Sequence, residues 1–180
     1  MHPVLNQTLS DVETLLAECS ADRLADASHG SWSGANTLEH LALANGGTIR
    51  MLYWFRDRDA VMPDKRSERQ QQMIDRVLGE GNFPSGQSAP PFAQPTGLAP
   101  AEAAAKLRAS LFELDAALTL LEQTFGSDSF LGRHPVLGPL TAGDWRLFHQ
   151  VHTRHHLQQI RHRIATAEPP TKRRLIATNE

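Results

Sequence analysis

The sequence predicts an all-α protein with four long helices, and three observations support this class. Strand signals are scarce, because the 180 residues include seven phenylalanines, three tryptophans and one tyrosine, with no Asn-Gly turn between alternating segments. Apolar residues instead recur every three or four positions, which is the helical repeat. Stretches rich in glycine and proline separate these repeating segments. The sequence therefore favours helices joined by loops over a sheet.

The first and third helices are predicted from purely apolar stripes. The third stripe follows Pro100 and Glu102, a typical helix start. Such stripes predict core packing and offer no metal ligand. The first stripe comprises Leu5, Leu9, Val12, Leu16 and Cys19, and the third comprises Leu107, Leu111, Leu114, Leu118, Leu121 and Phe125.

The second and fourth helices are predicted over about Asn36 to Phe55 and Ala142 to about Ala165, and polar residues interrupt both stripes. Burying these polar groups without partners would cost several kcal/mol. They therefore need compensation, which a metal ion would supply. The second stripe comprises His40, Ala44, Gly47, Met51 and Trp54, and the fourth comprises Trp145, His149, His152, His156, Gln159 and Arg163.

The connections differ in character. Residues 64–78 are polar with weak periodicity and predict a short peripheral helix. Residues 79–100 contain four glycines and five prolines, so we expect a long irregular loop that contributes to function. Residues 126–140 predict another Gly/Pro loop, which ends at Thr141 as a helix N-cap with Asp144 in the first turn.

Composition predicts a single domain over residues 1–180, with a peripheral tail from about residue 168. The 18 basic and 20 acidic residues balance, so we expect binding to neither nucleic acid nor anionic membranes. No apolar stretch is long enough to span a bilayer, and no signal peptide is apparent. The single cysteine, Cys19, excludes an internal disulfide and is predicted to pack in the core. We therefore expect a cytoplasmic protein.

Histidines on the fourth helix predict a metal site. His152 and His156 are four residues apart, a spacing that places both imidazoles on one helix face and lets them share an ion. His40 is the best third ligand, because Ala44 and Gly47 leave room beside it. Three imidazoles leave coordination positions open, as at catalytic sites, and they suit Zn, Ni, Cu or Fe. The pairs His149/His152 and His152/His155 stay possible alternatives.

The other histidines receive lesser roles. His149 lies seven residues from His156, roughly 10.5 Å along the axis, so we expect it to line a pocket. Gln159, Glu39 and Arg163 are further pocket candidates that could orient a substrate or move a proton. We expect His155 and His162 to be surface or packing residues, and we assign no role to His2, His29 and His134.

Two groups of motifs resemble the DinB/YfiT-like superfamily. The segments 134–140 (HPVLGPL), 144–145 (DW) and 148–160 (FHQVHTRHHLQQI) resemble its last loop and helix. Trp32 followed by residues 37–41 (TLEHL) resembles its second-helix signature. The resemblance implies a four-helix bundle with crossover connections and a divalent metal held by three histidines. Carried over by position, these are His40, His152 and His156.

Members of that superfamily include metal-dependent thiol S-transferases, a thiol-dependent isomerase and some hydrolases. The leading hypothesis is therefore a metalloenzyme that acts on a small molecule, with a low-molecular-weight thiol as a possible partner. An alternative is a non-catalytic, stress-related protein that binds a metal or a small molecule. A third is a metal-free bundle whose histidines only form hydrogen bonds. A homodimer, with contacts from Trp54 or the 79–100 loop, is a further expectation.

Overall fold

The computed structural model describes residues 1–27, 32–57, 65–83 and 88–167. These ranges confirm the mostly helical prediction, since four long and two short α-helices accompany one small antiparallel sheet. None of these helices combines the length and apolarity that a membrane-spanning segment requires. The predicted tail and His29 lie outside the described residues. The helices are α1 (Pro3–Glu18), α2 (Ala21–Ala25), α3 (Gly34–Arg56), α4 (Glu68–Ile74), α5 (Pro100–Phe125) and α6 (Ala142–Ala167).

The core lies between the long helices, with α1 packed against α6 and α3 against α5. On α5 the predicted stripe from Leu107 to Leu121 is fully buried, whereas Phe125 is partly exposed. On α1 the buried residues are Leu5, Thr8, Val12 and Leu15, while Leu9, Leu16 and Cys19 pack at the margin. The buried face of α1 is therefore rotated from the predicted one. Thr8 can be buried there because its hydroxyl donates to the Val4 carbonyl within the helix.

Helix α3 buries a different face from the predicted stripe. Leu38, Leu41 and Leu52 are buried in the core, whereas Trp54 is 53% exposed. The buried side chain of Asn45 donates a hydrogen bond of 2.9 Å to Ser110 on α5. The placement of Trp54 in the buried stripe was therefore wrong, because the α5 contact selects the neighbouring face.

The loop predicted over residues 126–140 instead contains a β-hairpin. Strand β1 (Phe130–His134) pairs antiparallel with β2 (Gly138–Thr141). Gly132 and Gly138 have φ values of 85° and 81°, which L-amino acids rarely adopt. The side chains of Met51 and Gln70 lie where a Cβ would project from these glycines. The sequence did not predict these two strands, because they are only five and four residues long and contain glycine and proline, which are rare in strands.

The hairpin leads directly into α6 through the predicted cap. The Thr141 backbone N–H and hydroxyl donate to Asp144 Oδ2, and the Asp144 N–H donates to Thr141 Oγ1 at 3.2 Å. These reciprocal bonds satisfy donors that the first turn leaves free. The predicted start of α6 at Ala142 is confirmed.

The connections that precede α5 pack against two different long helices, α6 and α3. The predicted peripheral helix is α4, which continues as one π-helical turn over Asp75–Gly79. Within the predicted 79–100 loop, Pro91–Ala93 forms a single 3-10 turn that packs against α3. Helix α2 was not predicted, and it is short, with Ser20 as N-cap and Leu24 buried.

Candidate metal centre

Three imidazoles from two helices meet between α3 and α6. His40, His152 and His156 each offer one ring nitrogen, and these nitrogens all lie within 4.8 Å of one another. The His40 ring centroid is 5.4 Å from that of His152 and 4.9 Å from that of His156. His40 is buried, and the other two are partly exposed. The three histidines are therefore positioned so that they could hold one metal ion.

The loop before α5 orients His40. Its Nδ1–H donates a 2.8 Å hydrogen bond to the Ala93 carbonyl, which can only accept. The neutral ring then carries its lone pair on Nε2. The Trp32 ring lies 5.0 Å from His40 by ring centroids.

A chain of three side chains orients His156. Its Nδ1–H donates to Gln159 Oε1 at 2.9 Å, and Gln159 Nε2 donates to His155 Nε2 at 2.9 Å. Gln159, a predicted pocket residue, therefore lies at the site and acts on His156 through a hydrogen bond. This contact is the kind that holds metal-ligating histidines in one tautomer.

His152 differs from the other two because its hydrogen bond is to another member of the trio, His156, and aromatic rings border the rest of its side chain. The Phe148 ring stacks on it at 5.4 Å, and the Phe83 ring lies 5.9 Å away. Its Nε2 lies 3.1 Å from His156 Nε2. Its Nδ1 is buried without a hydrogen-bond partner among the described residues.

His149 lies one turn before this trio and does not join it. Its Nε2 forms a 3.0 Å hydrogen bond with Thr48 Oγ1 on α3, and the residue is 1% exposed. The cluster of three ligand nitrogens contains His152 but not His149, whose Nε2 is occupied by Thr48. The His152/His155 pair is likewise disfavoured, since His155 Nε2 already accepts from Gln159.

Glu39 and Arg163 both form hydrogen bonds with other parts of the chain. The Glu39 carboxylate accepts four hydrogen bonds of 2.7–3.1 Å from Thr96, Gly97 and Leu98, and Glu39 is 3% exposed. These donors occupy both carboxylate oxygens, and the role of Glu39 as a pocket group that orients a substrate or moves a proton stays a prediction. Arg163 Nη1 donates to the Trp32 carbonyl at 3.0 Å, which ties the end of α6 to the segment before α3.

Several neighbours carried no recognisable sequence signal. The Ala93 contact uses a backbone carbonyl, which any residue possesses, and Phe83 lies in an irregular segment. His134, to which no role was assigned, accepts from the Val136 and Leu137 N–H groups and so orders the hairpin turn. His2 accepts from the Val4 N–H at the start of α1. These two histidines serve local structure.

Comparison with known families identifies the superfamily of the chain. A family model described as the DinB superfamily matches residues 5–160, which is most of the chain. The chain belongs to the DinB superfamily. Comparison with curated proteins and with solved structures gave no significant match.

The three candidate ligands of this DinB-superfamily chain, His40, His152 and His156, are neutral near pH 7. Burial, together with the neighbouring His156 and His40, holds the pKa of His152 well below its usual range. Burial and His40 lower the pKa of His156 to about 4, against an opposing hydrogen bond from Gln159. Burial also lowers the pKa of His40, with partial opposition from Ala93. Neutral imidazoles are the form that binds metals.

The donor set of this DinB-superfamily chain fits a divalent cation. With Nδ1–H donated to Gln159, His156 presents a bare Nε2 to His152 Nε2. Two nitrogen ligands of a tetrahedral zinc ion lie roughly 3.4 Å apart, close to the separation of this pair. With His152 in its Nδ1–H tautomer, a shared cation would bind the Nε2 lone pairs of both residues at once, in place of the hydrogen bond between them. Three neutral imidazoles also suit zinc, nickel, copper and iron alike.

Proposed function

We propose that this member of the DinB superfamily is a divalent-metal-dependent enzyme that acts on a small molecule, with His40, His152 and His156 as the protein ligands. The observation that carries the proposal is the convergence of these three imidazoles, whose ligand nitrogens lie within 4.8 Å of one another. Three protein ligands leave room for a further ligand, as at catalytic sites. Zinc, nickel or iron would fit.

The reaction that we propose is transfer of a low-molecular-weight thiol, or hydrolysis. A divalent ion in such a site lowers the pKa of a bound water or thiol and so supplies a nucleophile near neutral pH. The chain's own groups hold the ligands still: Ala93 accepts from His40, and Gln159 accepts from His156. The rings of Trp32 and Phe83 border the histidines and would exclude water from those sides.

Metal analysis of the purified protein beside His152→Ala tests the proposal. We expect about one equivalent of a divalent metal in the wild type and a loss of at least tenfold in metal affinity in the variant, because two imidazoles form an incomplete site. His162→Ala is the matched control, since it removes an exposed histidine from the same helix. Equally little metal in wild type and His152→Ala, after incubation with zinc, nickel and iron, would refute metal binding.

Turnover of electrophilic substrates with and without added thiols separates the two reactions. Dependence on thiol identifies the transferase, and turnover without thiol identifies the hydrolase. Stoichiometric metal with no turnover, together with weak binding of added ligands, would favour the non-catalytic binding protein instead.

We further propose the finer architecture and context. The contacts of α1 with α6, α3 with α5, and α5 with α6 support one four-helix bundle with crossover connections as a single domain. The free thiol of Cys19 supports a reducing, cytoplasmic setting. The exposed rings of Trp54 and Phe92 support a homodimer, which light scattering after gel filtration would test.

A further inference from the structure

Two successive residues of α3 contact the same loop. Glu39 and His40 are 3% and 5% exposed, and both contact the stretch from the end of the 3-10 turn to the start of α5. His40 contacts Ala93, and Glu39 contacts residues 96–98. The orientation of one candidate metal ligand therefore depends on a segment that the neighbouring carboxylate holds.

The Glu39 contacts are numerous and directional. Oε1 accepts from the Thr96 N–H at 2.9 Å and from its hydroxyl at 2.7 Å. Oε2 accepts from the N–H groups of Gly97 and Leu98 at 3.0 and 3.1 Å. Both oxygens accept from donors only, which is the bonding pattern of an ionised carboxylate. Hydrogen bonds to a charged acceptor are stronger than neutral ones.

The loop is shaped to supply these donors. Gly97 has a φ of 95°, a conformation that L-amino acids rarely adopt. A Cβ at this position would meet no atom within 4 Å, so the backbone conformation alone requires glycine. Replacing Gly97 therefore disturbs the loop conformation without creating a clash.

We propose that Glu39 is a positioning residue for the metal centre: by holding residues 96–98, its carboxylate keeps the Ala93 carbonyl against Nδ1 of His40, which leaves Nε2 free to bind the ion. The inference deepens the proposed function and rests on it for its metal-binding part. The hydrogen bond between His40 Nδ1 and the Ala93 carbonyl does not require the metal. Loss of the hydrogen bond to the non-ligating ring nitrogen of a metal-bound histidine typically lowers metal affinity 10- to 100-fold.

Glu39→Gln is the sharpest variant, because it keeps the side-chain shape but turns an NH2 group toward backbone N–H donors. We expect its zinc affinity, measured by competition with a chelator, to fall about 10- to 100-fold. Thr96→Val removes one of the donors and should give an intermediate loss. Thr96→Ser keeps the hydroxyl and should bind zinc like the wild type.

The second readout is the tautomer of His40 in the metal-free protein. Long-range ¹⁵N–¹H spectra distinguish a protonated ring nitrogen from a bare one. We expect Nδ1–H alone in the wild type and in Thr96→Ser, and a mixture of tautomers in Glu39→Gln and Gly97→Ala. This measurement needs no metal, so it decides the positioning role even if the wild type binds none and the proposed function fails.

Ser110→Ala is the control for general destabilisation, because it breaks the buried α3–α5 hydrogen bond with Asn45 away from the loop. It should lower the melting temperature and leave both readouts unchanged. The inference is overturned if Glu39→Gln retains wild-type zinc affinity and a single Nδ1–H tautomer of His40. It is also overturned if Ser110→Ala, at the same loss of melting temperature as Glu39→Gln, loses as much zinc affinity as Glu39→Gln. If Glu39→Gln does not fold, wild-type behaviour of both Thr96→Val and Gly97→Ala overturns it.

Discussion

We predict that the folded protein loses stability in acid because His149 is buried between α3 and α6. The ring is 1% exposed, forms one hydrogen bond with Thr48, and stacks beside Trp145 at 6.2 Å. Burial, reinforced by nearby His134, lowers its pKa from the usual value of 6.5 to about 3. Protonating this ring in the folded protein would place a charge where water cannot solvate it.

The direction in which stability changes with pH follows from which state of the protein binds the proton. Between pH 6.5 and about 3 the unfolded chain binds the His149 proton and the folded chain does not. The stability that depends on the neutral ring is therefore fully present above pH 6.5 and is lost as the pH falls toward 3. The slope approaches about 1.4 kcal/mol per pH unit, so the loss from pH 8 to pH 5 is about 2 kcal/mol for this one group.

Urea unfolding of the metal-free protein at several values between pH 8 and pH 5 tests this value. His149→Gln keeps a group that can reach Thr48 but does not titrate, so its loss of unfolding free energy over this range should be about 2 kcal/mol smaller than that of the wild type. His162→Gln, which replaces an exposed histidine of the same helix, is the control. Equal losses in wild type and His149→Gln would refute the argument from burial.

Two further pairs of variants test packing. Arg146 is 2% exposed, its Nη1 forms an ion pair of 2.9 Å with Glu122, and its Nε has no hydrogen-bond partner among the described residues. Glu122→Gln should therefore lower the free energy of unfolding by about 1–2 kcal/mol, because it leaves the buried charge of Arg146 without its partner. Arg146→Met removes that charge, so its free energy of unfolding should stay within about 1 kcal/mol of the wild-type value. A greater loss in Arg146→Met would contradict this reasoning, and urea titration measures both. A Cβ at Gly47 would lie 2.5 Å from the Phe92 ring, whereas a Cβ at Gly46 would make only an ordinary van der Waals contact. Gly46→Ala should therefore stabilise the protein by about 1 kcal/mol, because alanine favours the helix, and Gly47→Ala should give no such gain. Equal melting temperatures for the two alanine variants would show that the Phe92 ring is not seated on Gly47.

Helical periodicity predicted the four long helices and most of the buried face of α5. The same local rule placed His152 and His156 on one face of α6, because residues four apart on a helix are neighbours whatever else surrounds them. The hairpin escaped prediction because Gly132 and Gly138 weaken the strand signal while enabling contacts with Met51 and Gln70, which are distant in sequence. The rotated face of α1 and the exposed Trp54 were also decided by which helices pack together.

For the candidate site, the sequence by itself determined which residue types are present and which share a helix face, since these depend only on backbone geometry within one element. Tertiary structure decided that His40 lies beside His152 and His156, that the Ala93 carbonyl reaches its ring, and that Glu39 binds the loop at residues 96–98. The separations along the chain exceed fifty residues in each of these contacts. No local pattern encodes such contacts, because they form only when loops and helices from separate parts of the chain pack into one core.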